Sequence, residues 1–182
     1  SLLPVLESRK NGQVDPGRTW VITGRERHVA RARDGQLPYP QRALRTTEHL
    51  YIINFKPDRW PMGNPYNLGP EMMPDTSTLE NNTFVTFGDL DASPTKAWIV
   101  ERRNDEKYRG YYEYAFNKRP GEELYVLADD PDQVHNVAGE PDYAEIQGRL
   151  RQQLLEELKS LKDPRVLGDG STFDKPPFAP GG

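Results

Sequence analysis

The sequence predicts an α+β domain, a small antiparallel sheet with one long C-terminal helix packed on it. Three observations carry that prediction. "RALRTTEHLYIINF", 42–55, is the strongest strand signal, with "RTTEH" as a hairpin turn in its middle. "TWVITG", 19–24, and "EELYVL", 122–127, are further runs of β-branched and aromatic residues bounded by turn formers. Ile146, Leu150, Leu154, Leu158 and Leu161 recur at spacings of four and three, one apolar stripe of a helix.

Taken in order, residues 1–17 read as a short apolar end followed by the turn "NGQVDPG". "LLPVL" looks like the end of an apolar segment already under way, so the chain is expected to be part of a longer protein. The first strand ends at Gly24, and an arginine-rich stretch then enters the loop "DGQLPYP". In the hairpin, alternation puts Leu44, Leu50, Ile52 and Asn54 on one face, with Tyr51, Ile53 and Phe55 on the other. Residues 56–96 are rich in proline and glycine and too long for an ordinary connection. They are expected to be irregular and to serve function or wrap a neighbouring surface.

The next stretch, 95–121, is weakly helical, with an aromatic cluster at Tyr111, Tyr112, Tyr114 and Phe116. Pro141 suits the first residue of the last helix, and "KDP", 162–164, stops it. The expected division is 1–17 linker, 18–163 domain with the irregular insertion 56–96, and 164–182 extended or mobile tail.

Composition narrows the classes. A length of 182 residues suggests one domain, but only 35 % are hydrophobic, which is lean for a free-standing core. The 17 prolines and 15 glycines imply much irregular surface, while 10 % aromatic residues argue against disorder. Long loops or a missing packing partner would explain both. With no cysteine, disulfides, thiolate metal sites and a cysteine nucleophile are excluded within this chain. No apolar run approaches the ~18 residues of a membrane span, so no membrane partner is expected.

Charge is unevenly placed. Residues 23–46 hold Arg25, Arg27, Arg31, Arg33, Arg42 and Arg45, no lysine, and only Glu26 and Asp34 as acids. That is +4 inside a chain of net charge −4, so the remaining residues carry −8. Guanidinium binds carboxylate, phosphate or sulfate through a planar fork that an ammonium lacks. Oxyanion recognition by at least one of these arginines is weighed against ion pairs with acids elsewhere, the better expectation for any single one. Nucleic acid is not expected as a partner, since the pI is about 5.5 and nucleic-acid domains usually exceed ~9.

His28, just past a strand end, could bond a sugar hydroxyl or sulfate, or shuttle a proton; an exposed histidine of no importance is an equal alternative. His49 and His135 read as structural. The acidic turns "GDLD" (Asp89, Asp91) and "ADDPD" (Asp129, Asp130, Asp132) lack the glycine and terminal glutamate of a calcium loop. The sequon "NNT" at 81–83 is too common to weigh. No nucleophile elbow, phosphate loop or paired helical carboxylates appear, so no catalytic residue and no metal site are expected within the chain.

"YPQRALRTTEHLYIINFKPDRWP", with "ELYVLADDPDQVHNVAGEPDYAEIQGRLRQQLLEEL", resembles the C-terminal region of type I sulfatases. The nearest branch is the heparan N-sulfatase (sulfamidase)-like enzymes, bacterial members especially. The resemblance runs from Leu2 to Phe173. It matches Tyr39, Pro40, Arg42, Ala43, Arg45 and Thr46 to the "YPxRAxRT" element. The strand Glu123–Leu127 leads to the turn Asp130-Pro131 through Asn136-Val137-Ala138 and a helix near Pro141. Val126 stands where the family usually has aspartate, and Gln133 where an acid is common.

The resemblance implies a C-terminal subdomain of an alkaline-phosphatase-like fold. It would pack beside an N-terminal catalytic domain and lend loops to a sulfated-glycan pocket, with heparan-type saccharides the expected substrate. The formylglycine, its C-x-P/A-x-R motif and the Ca2+ ligands belong to that missing domain. "DASPTK", 91–96, lacks the arginine of a serine-type variant. The chain alone is therefore expected to be inactive. The family's export implies a periplasmic or extracellular location. Arg25, Glu26, His28, Arg42 and Trp60 are the implied substrate-binding residues. Arg42 and Arg45 are given a structural role by preference, and Trp60 a sugar-stacking or anchoring one. The alternative is a stand-alone, non-enzymatic polyanion- or glycan-binding or interaction module.

Overall fold

Four strands form among the described residues: β1, Trp20–Arg25; β2, Gln41–Thr46; β3, His49–Asn54; and β4, Glu122–Val126, with β-branched and aromatic residues concentrated in β1, β3 and β4. The computed structural model describes residues 3–176 and pairs these strands antiparallel in the order β1-β2-β3-β4. Among the described residues five α-helices accompany them: α1, Leu3–Leu6; α2, Thr76–Asn81; α3, Pro94–Glu101; α4, Arg109–Phe116; and α5, Ala144–Ser160. The fold class is the α+β arrangement expected. Residues 1–2 and 177–182 lie outside the described residues, and with them the start of the apolar end, the Leu2 limit of the resemblance and the last part of the tail.

The hairpin forms where "RTTEH" predicts it. The Thr46 hydroxyl accepts hydrogen bonds from the backbone N–H of Glu48 at 3.2 Å and His49 at 2.9 Å, which closes the turn. The face assignment needs one correction. Leu44 pairs with Tyr51, not with the even-numbered residues of β3. A two-residue connection pairs positions of opposite parity, so counting alternation straight through the turn inverts one strand.

Leu44, Tyr51 and Leu124 thus share the face onto which α5 lays Leu150, Leu154 and Leu158. Leu161 falls just past the helix end and is 68 % exposed, so the stripe stops one residue earlier than its periodicity suggests. Pro141 opens a short 3-10 turn, Pro141–Tyr143, before α5 begins.

Residues 56–96 are not irregular throughout. Asp75 caps α2 by accepting from the Thr78 N–H at 2.9 Å, and Ser93 caps α3 through the Lys96 N–H at 3.2 Å. A second core gathers Leu79, Val85, Phe87, Ala97, Val100 and Phe116, with Phe87 stacked on Phe116 at 4.2 Å. Helices of six and eight residues hold about two turns each, too few to display a period.

Gly63 stitches this region to the sheet end. Its φ is +96°, and a Cβ there would lie 2.8 Å from the Gly88 nitrogen and 2.9 Å from the Ala32 oxygen. That close approach lets Asn64 donate to Ala32, Phe87 to Asn64 and Asp89 to Met62.

Candidate functional site

Where β1 ends, the chain leaves the sheet as Glu26-Arg27-His28 and is held there by Tyr39 donating its N–H to the Glu26 carbonyl at 2.6 Å. Glu26 accepts from Arg42 Nη2 at 2.7 Å and from Arg165 Nη2 at 2.5 Å. Arg42 also reaches Asp163 through Nε at 2.7 Å, and its Nη1 donates to the Arg25 and Gln41 carbonyls. Arg165 continues to Asp174 at 2.8 Å, and Asp174 accepts from Arg59 Nη2 at 2.7 Å. Three guanidiniums and three carboxylates therefore close a balanced cluster.

Burial works against ionised carboxyls here. Nevertheless the guanidinium hydrogen bonds win, and Asp163 and Asp174 are held below the ordinary aspartate range. Arg42 and Arg165 are disfavoured by burial too, yet their carboxylate partners raise them further.

A second buried pair lies on the other side of the loop. Arg33 is 4 % exposed; its Nη2 donates to Asp89 Oδ2 at 2.5 Å and to Pro61 O at 2.7 Å, and its Nε to Trp60 O at 2.7 Å. Arg25 Nη2 donates to the same Pro61 oxygen at 2.5 Å. Both guanidiniums sit over the Tyr39 ring, at 5.5 and 5.8 Å. Burial pushes the Tyr39 hydroxyl up to about 12. Asp89 Oδ1 accepts from the Val29 N–H at 3.1 Å, and His28 Nδ1 lies 3.4 Å from the Asp89 carbonyl oxygen, with the ring exposed. A donating Nδ1 would leave Nε2 facing solvent as an acceptor.

Trp60 borders a cleft of about 250 Å3. Phe87 meets its ring edge-on at 6.1 Å, and Lys118 Nζ sits 5.4 Å from its centroid.

Of the residues named from the sequence, Arg25, Glu26 and Arg42 are brought together, but with their side chains turned to internal partners. His28 is exposed beside Asp89, and Trp60 stands apart at its cleft. Arg45 is exposed and reaches Gln133 Oε1 at 3.4 Å. Arg27 donates to Gln36 O at 2.8 Å, and Arg31 is exposed with no hydrogen bond or ion pair among the described residues.

Sequence reasoning missed Asp89, Asp163, Arg165 and Asp174. The last three lie in or beyond the "KDP" stop. The tail expected to be extended instead turns at Thr172–Asp174 and docks through Asp174. Nothing local marks a partner 121 or 139 residues away.

Among the described residues no group of three or more His, Asp or Glu side chains could hold a metal ion, and no helix is long and apolar enough to cross a membrane. No protein-family model matches the chain, and no curated protein matches it.

Proposed function

We propose that this chain is the C-terminal, pocket-contributing part of a sulfatase that cleaves sulfate esters or N-sulfates of glycans, heparan-type saccharides foremost. The observation that carries the proposal is the strand–turn–helix unit at 122–160. Asp130 accepts from the N–H groups of Val134 and His135, at 3.0 and 2.9 Å. Asn136 Oδ1 accepts from Leu124 at 2.8 Å and Ala138 at 2.9 Å. The residues on which the resemblance rests thus have physical work in the turn. The catalytic formylglycine and Ca2+ would come from the N-terminal domain, and His28, on a loop anchored by Asp89, would face the shared pocket.

The gene upstream of the Ser1 codon tests this. An open frame with C-x-P/A-x-R and paired aspartates is expected, and its absence overturns the assignment. In the whole enzyme, His28→Ala should lower kcat/KM about 100-fold if His28 acts as an acid or base; an unchanged value removes it from the pocket.

One observation favours the stand-alone glycan-binding module. The described residues build two hydrophobic cores of their own. A start codon immediately before the Ser1 codon together with retention on heparin would favour that module.

A further inference from the structure

The arginines that suggest oxyanion binding are largely consumed by the fold, and the cleft beside Trp60 has a different character. Arg33 and Arg59 line it, but each already holds its own acid, Asp89 and Asp174. Three charged side chains remain at its wall: Asp34, Asp58 and Lys118. Asp34 accepts from Tyr66 at 2.6 Å and Asn64 at 3.1 Å, leaving further lone pairs. Asp58 is exposed with no partner among the described residues, and Lys118 has only the Trp60 ring. The free balance is therefore one negative charge, which repels sulfate and favours hydroxyl donors.

We infer that this cleft is a subsite for one sugar ring of the glycan, read through its hydroxyl groups and not through sulfate; the inference rests on the glycan reading above. About 250 Å3 admits one pyranose. Its apolar C–H face would lie on the Trp60 indole in place of the exposed Lys118 side chain, and Phe87 packs edge-on against the same ring. Asn64 spends its amide N–H groups on Asp34 and Tyr66, so hydroxyl groups would donate to Asp34, Asp58 and Asn64 Oδ1 and accept from Lys118, a mixed donor–acceptor set suited to a polyol.

The test uses the full chain and two heparan-backbone tetrasaccharides, one without sulfate and one fully sulfated, followed by the indole N–H resonances in NMR. The unsulfated probe should shift the Trp60 signal. Asp58→Asn, at an exposed position that spares the fold, should weaken binding about tenfold, and Trp60→Phe should do the same while keeping an aromatic wall. An unshifted Trp60 signal, or affinity unchanged in Asp58→Asn, overturns the subsite. A Trp60 shift confined to the sulfated probe overturns it as well. A missing upstream sulfatase motif together with an intact Trp60 shift would overturn the enzyme assignment and support the cleft.

Discussion

At the scale of single residues, Arg42 explains why the cluster is built from arginine. Its Nε and Nη2 serve two carboxylates while Nη1 serves two carbonyls. A lysine, with three donors on one nitrogen, cannot reproduce the five bonds that Arg42 makes from three separate nitrogens. Arg42→Lys should therefore cost about 2 kcal/mol in urea unfolding. Glu26→Gln, which strands Arg42 and the buried Arg165, should cost about 3 kcal/mol; little change would mean that Glu26 is spare for a ligand. The cluster also sets acid sensitivity. Asp163 and Asp174 are lowered in the fold, whereas free aspartates titrate near ~3.9. Below that value the unfolded chain binds more protons than the native one. The linked stability is thus whole above about pH 4 and is lost as pH falls toward the folded values. Urea midpoints measured down to acid pH should show this decline, and Asp163→Asn should flatten it.

At the scale of elements, α5 and the turn before it hold the sheet. Leu154 is fully buried against Leu44, Tyr51 and Leu124, so Leu154→Ala should cost about 3 kcal/mol. The polar edge of the same contact is Glu122, which accepts from Tyr51 and Gln147 at 2.7 Å and pairs with Arg151. Asn136 stands in for a fifth strand along β4, as its Oδ1 takes the Leu124 N–H while Val137 donates to the Leu124 carbonyl. Asn136→Ala leaves that N–H unpaired and should cost about 2 kcal/mol, with faster amide exchange confined to β4 and the turn. In α3, Lys96 is 1 % exposed and donates to the carbonyls of Thr83, Phe87 and Leu90. Burial lowers its ammonium to about 8. Its place is structural, closing the loop beneath the second core.

At the scale of the whole molecule, arginine hydrogen bonds tie the loops between the two cores. Arg25 and Arg33 converge on Pro61, and Arg59 and Arg165 converge on Asp174. The surface keeps an aromatic face, with Trp98, Tyr111 and Tyr114 at 38, 60 and 50 % exposure and Arg102 over the Trp98 ring at 4.5 Å. Trp, Tyr and Arg are the side chains that dominate protein interfaces. A chain that belongs with a partner domain should therefore self-associate at high concentration, and Tyr111→Ser should reduce it. Light scattering from a clean monomer throughout would count against a missing partner.

The sequence by itself determined the four strands, the hairpin turn, the α5 stripe and the fold class, because each depends on residues within a few positions of one another. The caps at Asp75 and Ser93 are equally local, yet 56–96 reads as irregular because its prolines and glycines mask the short helices they start. Tertiary structure alone decided the rest. The side of the sheet that Leu44 faces follows from strand register, and the second core from contacts among helices too short to show a period. The fate of the arginines was settled the same way. Their fork geometry is written in the residue type, but their partners, Asp89, Asp163 and Asp174, arrive from 56 to 121 positions away or through Arg165. Whether a guanidinium is spent internally or left for a ligand is set by which acids the fold carries to it. Local sequence holds no record of that distance.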